Sequence, residues 1–208
     1  LNYKKNLESI NTKIDITAGH AFQEFYIRSF FDRTTNTNIV QTDINRNALE
    51  SYFARASFDI ADRYLISASY RRDGSSRFGP GNRYGVFPSA SIAWRLSQEG
   101  FLKGSSAIND LKFRASYGLT GNQNIGNFAF ITRAGAANYV FGNSAVIGNA
   151  PVNIGNEDLK WESSKQLDIG LNASFFDGRL NVELDYYDKR SEDLLISPPI
   201  PLTSGVSG

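Results

Sequence analysis

The sequence predicts an all-β fold of antiparallel, up-and-down strands that form part of a transmembrane β-barrel. Three observations support this fold class. Apolar and polar side chains alternate with a period of two over most of the chain, and several alternating segments are longer than the strands of soluble sheets. In addition, the connections between the segments are alternately shorter and longer, which is typical of outer-membrane barrels.

The stretch from Tyr64 to Leu96 shows the alternation most clearly and is predicted to be a long hairpin. Its first limb carries apolar side chains at every second position: Tyr64, Ile66, Ala68 and Tyr70. Such a period gives a strand one apolar and one polar face. The link Gly74–Asn82 is rich in Gly, Ser and Pro and ends the first limb. Pro88 lies within the second limb, where it removes a ladder hydrogen bond, so a β-bulge is predicted there.

The length of the two limbs favours a membrane barrel. About 14 residues at roughly 3.3 Å each extend over about 46 Å, whereas strands of soluble sheets usually span about 17–20 Å. A barrel strand tilted by about 40° crosses an apolar band roughly 25 Å tall and continues beyond it. Rings with one polar edge lie near the ends of the apolar faces, as an interfacial girdle requires: Tyr64, Tyr70, Tyr84 and Trp94.

The same pattern predicts about seven strands in the whole chain. They are a strand from Asn11 to about Gly19, then Glu50–Ile60, Tyr64–Asp73, Arg83–Leu96, Leu111–Thr120, about Trp161–Phe175 and Leu180–Tyr186. The short links predicted are a tight turn at Ala61–Arg63 and a hairpin turn at Asp177-Gly178. The longer ones are a mixed link at Phe22–Asn47, a link at Ser97–Asn109 with one helical turn, and an irregular region at Gly121–Asp158. Residues 1–10 are assigned no element.

Seven strands do not close a bacterial barrel, because such barrels have even strand numbers from eight upward. An open sheet edge in lipid would leave backbone groups unpaired at several kcal/mol each. The chain is therefore expected to be a segment of a larger barrel or to have partners that complete it. It also lacks an initial Met and a signal segment, so we expect a mature or truncated piece of a longer chain.

Composition excludes several function classes. The chain has 22 Lys and Arg against 21 Asp and Glu, and a net charge of +1 offers no footprint for nucleic acid. There is no Cys, and His20 is the sole histidine, so thiolate, Cys-zinc and His-based sites cannot be assembled. Glu183 and Asp185 share one strand face, but a solvated lumen explains them as well as two-carboxylate chemistry does. No catalytic, metal or cofactor-binding residue is predicted, and an enzyme is not expected.

Five segments carry a resemblance to a known family. They are Arg71–Ser89 (RRDGSSRFGPGNRYGVFPS), Ile92–Arg95 (IAWR), Asp110–Asn122 (DLKFRASYGLTGN), Asn156–Glu162 (NEDLKWE) and Phe176–Leu180 (FDGRL). In this order they closely resemble the SusC/RagA family of TonB-linked outer-membrane proteins. The matching segments span the chain from about Arg71 to Leu180.

The resemblance implies a 22-stranded barrel with an N-terminal plug in the outer membrane of a Gram-negative bacterium. It further implies import of oligosaccharides or peptides with energy from the TonB–ExbB–ExbD complex, and a SusD-like lipoprotein that acts as an external lid. Against that pattern, residues 1–208 correspond to a partial barrel segment, and we recognise no plug, TonB box or closing strand in them.

Two groups of residues are candidates for contact with the substrate or the lid. The long links at Phe22–Asn47 and Gly121–Asp158 are expected to face outside, and the second contains the aromatic candidates Phe128, Phe130, Tyr139 and Phe141. Arg71 and Arg114 lie on the polar face, which is expected to be a lumen of mixed charge.

The alternative interpretation is a soluble all-β carbohydrate-binding module. In such a sandwich the alternating apolar face would turn inward, and Ile66, Ile92 and Ile169 would be sealed in a two-layer core. In a membrane barrel the same side chains would face lipid.

Overall fold

The computed structural model of the protein describes residues 1–35, 37–196 and 201, with side chains described for these residues except 30–43 and 138. The described part consists of ten strands and two short 3-10 helices, Glu8–Ile10 and Leu96–Gln98. The strands are β1 (Asn2–Leu7), β2 (Thr12–Thr35), β3 (Thr37–Ile60), β4 (Tyr64–Ser75), β5 (Tyr84–Arg95), β6 (Ile108–Asn122), β7 (Ala134–Phe141), β8 (Ser144–Pro151), β9 (Glu162–Phe175) and β10 (Leu180–Glu192). Within the described residues, no helix is long and apolar enough to cross a membrane.

Eight of the strands form one antiparallel sheet in the order β1-β2-β3-β4-β5-β6-β9-β10. Consecutive strands are neighbours throughout, except that the hairpin β7–β8 is inserted between β6 and β9 as a separate two-stranded sheet. The predicted all-β, up-and-down architecture is therefore confirmed. The connections β3–β4 and β9–β10 lie at one end of the sheet, which we call the turn end. The connections β4–β5 and β6–β9 lie at the opposite end, which we call the loop end.

The register sorts side chains into an apolar and a polar face. One row of paired positions crosses six strands and is apolar throughout: Ile14, Phe58, Ile66, Ile92, Ala115 and Ile169. Ile66, Ile92 and Ile169 remain 38%, 44% and 37% exposed. No second layer covers them within the described residues, so the sandwich alternative is wrong. We call this apolar side of the sheet the outer face and the polar side the inner face.

The sequence missed a strand at the N-terminus and two long strand extensions. Residues Asn2–Leu7, which were assigned no element, pair with Thr12–Thr17 as β1. The predicted link Phe22–Asn47 is wrong, because β2 and β3 remain paired from Thr12↔Ile60 to Thr35↔Thr37. Apolar and polar residues do not alternate regularly beyond Phe22, so the period of two is lost. The backbone ladder between two strands needs no such alternation, and the hairpin continues.

The region Gly121–Asp158 was also predicted incorrectly in part, since it contains the hairpin β7–β8. Its many Gly, Asn and Ala residues give a weak strand signal. The sheet thus has eight strands where seven were predicted, with this hairpin in addition.

Both predicted tight turns are confirmed. Ala61 and Asp62 have φ values of 56° and 54°, and the Arg63 N–H donates to the Ile60 carbonyl oxygen at 3.0 Å. Positive φ at both central positions is the type I′ geometry that suits the twist of a hairpin. At the other turn, Asp177 and Gly178 have φ values of 56° and 79°.

The predicted bulge at Pro88 is wrong. The register between β4 and β5 passes through Tyr70↔Pro88 without a shift. The ladder between β5 and β6 begins one residue later, at Ser89↔Gly118. Pro88 therefore lies where β5 has a partner on one side only, which is the edge-like position that tolerates proline. A register irregularity instead occurs between Ile108 and Asp110, where β6 begins to pair with β9.

Candidate functional site

The centre of the inner face is a band of hydroxyl groups. The register places Ser57, Ser67, Ser91 and Ser116 side by side on four strands, and Asp168 continues the row on β9. The hydroxyls of Ser67 and Ser91 are hydrogen-bonded at 2.7 Å. Ser116 donates to Asp168 at 3.4 Å. The band is polar and its side chains are small, so it leaves open space above the sheet.

Two cavities lie against this inner face, which is therefore the concave side of the sheet. The cavity nearer the turn end has a volume of about 750 Å³ and extends from Lys13 and Asp59 to Asp168. The second, of about 630 Å³, lies towards the loop end between Arg71 and Gln166. The serine band borders both cavities.

Two arginines of the inner face are paired with neighbouring carboxylates. Arg114 donates to Asn172 at 3.0 Å and to Glu183 at 2.7 Å, and it also pairs with Asp185. Gly170 makes this close approach feasible, because an added Cβ would lie 2.6 Å from both the Arg114 Nε and the Asp185 Oδ1. The Nε–H of Arg71 donates to both carboxylate oxygens of Asp73, at 2.7 and 2.8 Å, and its Nη2 donates to the Ser51 hydroxyl at 3.0 Å.

At the loop end, the inner face carries the buried hydrophobic core of the described structure. Phe78 is fully buried, and Phe87 and Trp161 are 7% and 8% exposed. The Trp161 ring lies 5.5 Å from that of Phe78 and 5.3 Å from that of Phe87. Five partly buried apolar side chains surround them: Leu49, Leu119, Ile125, Leu159 and Leu195. We call these three rings the inner aromatic cluster.

This cluster holds two connections, β4–β5 and β6–β9, against the inner face. Phe78 belongs to the β4–β5 connection, and Trp161 ends the β6–β9 connection and donates through Nε1 to the Arg83 carbonyl oxygen at 2.8 Å. The Phe87 ring occupies space that only glycine leaves, since a Cβ at Gly121 would lie 2.1 Å from it. Arg77 reaches across to the Gln123 carbonyl oxygen at 3.2 Å. The loop end is consequently a packed rim.

The outer face ends in aromatic residues whose polar atoms bind carboxylates beyond the apolar rows. At the turn end, Glu99 accepts hydrogen bonds from Trp94 Nε1 at 3.0 Å and from the Tyr64 hydroxyl at 2.8 Å. These bonds, the one from Trp94 first, lower the pKa of Glu99. At the loop end, Glu50 accepts from the hydroxyls of Tyr84 and Tyr52, both at 2.7 Å.

The six predicted contact residues do not form one site. Arg71 and Arg114 line the two inner cavities, as the polar-face pattern predicts. Phe130 lines a third cavity at the loop end. Tyr139 and Phe141 lie on the β7–β8 hairpin, with ring centroids 4.8 Å apart. Phe128 is 52% exposed in the segment before β7.

Sequence reasoning did not identify Phe78, Phe87 and Trp161 as a cluster, although all three occur in the quoted segments. Phe87 could have been singled out, because it is an aromatic residue at a position of the alternating pattern where polar or small residues are expected. Its partners are distant in sequence, and only the register and the inward path of the connections bring them together. Within the described part of the chain, no group of three or more metal-ligating side chains occurs.

A family model described as "TonB dependent receptor-like, beta-barrel" matches residues 2–208. The chain belongs to this family. Its relatives include a TonB-dependent receptor of Formosa agariphila, 44% identical over 187 residues that cover 89% of this chain and 18% of the relative. The TonB-dependent receptor SusC of Bacteroides thetaiotaomicron is 40% identical over 162 residues, which cover 76% of this chain and 16% of SusC.

Comparison with solved structures also indicates a TonB-dependent receptor barrel. A structure of the RagAB peptide transporter superimposes with a TM-score of 0.85 and 29% sequence identity, covering 98% of this chain and 24% of that chain. The resemblance to the SusC/RagA family and the outer-membrane location in a Gram-negative bacterium are thus confirmed. The chain spans less than a fifth of the length of the SusC and Formosa agariphila relatives. In an outer-membrane barrel the apolar outer face contacts lipid and the polar inner face borders the lumen.

Proposed function

We propose that the protein is a wall segment of a TonB-dependent importer that takes up oligosaccharides or peptides together with a SusD-like lipoprotein. The observation that carries this proposal is the division of one curved sheet into an apolar outer face and a concave, hydroxyl-lined inner face, in a chain that matches the family model over residues 2–208. The similarity to SusC and to the RagAB peptide transporter supports it.

The inner face is suited to passage of polar molecules. The positive charge of Arg71 is balanced by Asp73. That of Arg114 is balanced by Glu183 and Asp185. The serine band offers hydroxyl groups that can exchange hydrogen bonds with a hydrated solute without fixing it by charge. We infer that Arg71 and Arg114 contact the passing substrate only transiently.

The β7–β8 hairpin is the proposed contact for the lid. Residues 134–156 contain no charged side chain, and Tyr139 and Phe141 are 64% and 66% exposed. An isolated two-stranded hairpin is marginally stable in water, so a partner surface would stabilise it. Phe128, at its approach, is proposed to contribute to the same surface.

Three further proposals concern the whole importer: the size of its barrel, its plug and its energy source. We propose that residues 1–208 form part of a 22-stranded barrel, that a plug lies in its lumen, and that the TonB–ExbB–ExbD complex supplies energy. Among the described residues, the outer edges of β1 and β10 have no partner strand. This supports a larger closed barrel, because lipid cannot satisfy the backbone groups of an open edge.

Uptake by cells that produce the full-length receptor tests the proposal. We expect accumulation of a labelled oligosaccharide or peptide that requires both TonB and the lipoprotein. Accumulation that persists without TonB would contradict an energised importer.

A second measurement tests the lid surface. Tyr139→Ala together with Phe141→Ala should reduce co-purification of the lipoprotein with the receptor. Phe101→Ala, an equally exposed aromatic at 72% in the β5–β6 connection of the turn end, should not. Equal co-purification of both variants would contradict the assignment of the hairpin.

A further inference from the structure

Charged side chains appear on the outer face at one level, near the loop end of β2–β5. The outward rows from that of Ile14 to that of Ala18 contain no charged residue. The next two rows contain a carboxylate, an imidazole, a guanidinium and two phenol rings: Glu50, His20, Arg72, Tyr52 and Tyr84. We call these five residues, together with Arg83 just before β5, the outer loop-end cluster.

The level of this cluster matches the boundary of a membrane. From Tyr64 at the turn end to Arg72, β4 advances about 26 Å at roughly 3.3 Å per residue. A strand tilt of about 40° makes this a rise of about 20 Å, close to the roughly 25 Å height of the apolar band of a barrel. The loop end carries longer connections, which are external in outer-membrane barrels. Arg72 is therefore placed at the level of lipid head groups in the external leaflet.

The ring of Tyr84 fixes the Arg72 side chain. The guanidinium carbon of Arg72 lies 4.2 Å from the centroid of that ring, which is a cation–π distance. A Cβ at Gly74 would collide with the ring, so the ring packs directly on the backbone of β4. The Tyr84 hydroxyl is held in turn by the Glu50 carboxylate at 2.7 Å. The guanidinium consequently has a defined position on the outer face.

The carboxylate of the cluster is already occupied, whereas its arginines are not. Glu50 accepts from the hydroxyls of Tyr84 and Tyr52, and Nε2 of His20 lies 3.1 Å from it. Arg72 and Arg83 are exposed, and both interact electrostatically with Tyr84. Within the described part of the chain, neither guanidinium has a hydrogen bond or an ion pair. Their N–H groups are therefore the free donors of this cluster.

The surroundings of these donors favour an anionic lipid. A planar guanidinium binds phosphate through two parallel N–H···O bonds. The outward rows next to the cluster are apolar and continue across β4 and β5, where acyl chains can lie. A lipid with a phosphate head group satisfies both features at once. A soluble anion would use the arginines alone.

We propose that Arg72 and Arg83 bind the phosphate of a phosphorylated lipid in the external leaflet, with its acyl chains along the outer face of β4 and β5. Tyr84 is the positioning residue that holds Arg72. The inference concerns the lipid around the barrel, so it depends neither on the imported substrate nor on the energy source.

Titration of the full-length receptor in a neutral detergent, followed by native mass spectrometry, tests this site. The probes are lipid A, a phosphorylated and acylated glucosamine disaccharide, and lipid A from which the phosphates have been removed. We expect the phosphorylated form to bind about tenfold more tightly, because charge-assisted bonds to the arginines are lost with the phosphate. The difference should shrink at high salt.

Four variants locate the binding. Arg72→Gln should abolish most of the tenfold preference, and Arg83→Gln should reduce it. Arg72→Lys keeps the charge but loses the planar fork, so it should retain only part of the preference. Arg190→Gln is the matched control, because Arg190 is an exposed arginine of the outer face near the loop end of β10 that pairs with Asp188 at 3.1 Å. It should bind lipid A as the unaltered receptor does.

Three outcomes would overturn the proposal. They are equal affinity for lipid A with and without phosphate, an equal loss of preference in Arg190→Gln and Arg72→Gln, and complete displacement of lipid A by inorganic phosphate. The last outcome would assign the arginines to soluble anions. A receptor that fails to import its substrate but retains the preference would contradict the proposed function and leave the lipid site in place.

Discussion

Two groups of aromatic side chains stabilise this sheet in different ways. The inner aromatic cluster of Phe78, Phe87 and Trp161 is buried against the lumen side of the loop end. On the outer face, Tyr64 and Trp94 remain in contact with the surroundings and direct their polar atoms to Glu99. The two tryptophans show the contrast, since Trp161 donates to a backbone carbonyl inside a packed cluster and Trp94 donates to the carboxylate of Glu99 at the edge of the outer face.

The difference shows where a one-layer sheet obtains its rigidity. Its lipid face cannot form a dry protein core, so aromatic residues there mark the boundary between lipid and water. The lumen face is hydrated, and a packed core is feasible only where connections fold back over it. The inner aromatic cluster is that place, and it fixes the rim that carries the third cavity.

The largest expected effect is the loss of a ring from the inner cluster. Phe78→Ala should destabilise the full-length receptor by about 3–5 kcal/mol, because a fully buried phenyl ring leaves a cavity. Urea unfolding of the receptor in lipid vesicles measures this change. Trp161→Phe keeps most of the packing and loses the bond to Arg83, so it should cost only about 1 kcal/mol. Similar losses for the two variants would mean that the cluster is not a packed core.

A smaller effect should separate the two faces of β4. Ala68→Arg places a charge on the outer face midway between Tyr64 and Arg72, and it should cost about 2–4 kcal/mol in a bilayer. Ser69→Arg, one residue further and on the inner face, should cost about 1 kcal/mol through the lost 2.7 Å bond to Ser89. The same unfolding experiment compares them. A larger penalty at Ser69 would reverse the assignment of lipid and lumen.

The smallest expected effect is on the pH dependence of stability, through Glu99 and its bonds to Trp94 and Tyr64 on the outer face. The pKa of Glu99 is lowered in the folded protein by the bonds from Trp94 and Tyr64, so on acidification the unfolded chain takes up a proton first. Its contribution to stability is present at neutral pH and is lost as the pH falls below the ordinary carboxyl range. Glu99→Gln should therefore flatten the fall in stability between neutral pH and pH about 3. An unchanged slope would show that these hydrogen bonds do not contribute.

Much of the fold could be predicted from local pattern. The alternation at Tyr64–Tyr70 predicts one apolar and one polar face, and the structure confirms it because side-chain direction in a strand repeats every two residues. The turns at Ala61–Arg63 and Asp177-Gly178 were predicted correctly for an equally local reason. The pattern failed in β1, in the extensions of β2 and β3 and in β7–β8, where backbone pairing holds strands that have no regular alternation.

The sequence by itself determined which side chains of the regularly alternating strands share a face, and it determined the family to which the chain belongs. Only the tertiary structure decided that Phe78, Phe87 and Trp161 meet, and that the glycines at 79 and 81 share a cavity with Phe130 and Glu157. The physical reason is distance along the chain. An alternation with a period of two can be recognised within a few consecutive residues. These contacts instead depend on the register of five strands and on loops that fold inward once the sheet has formed.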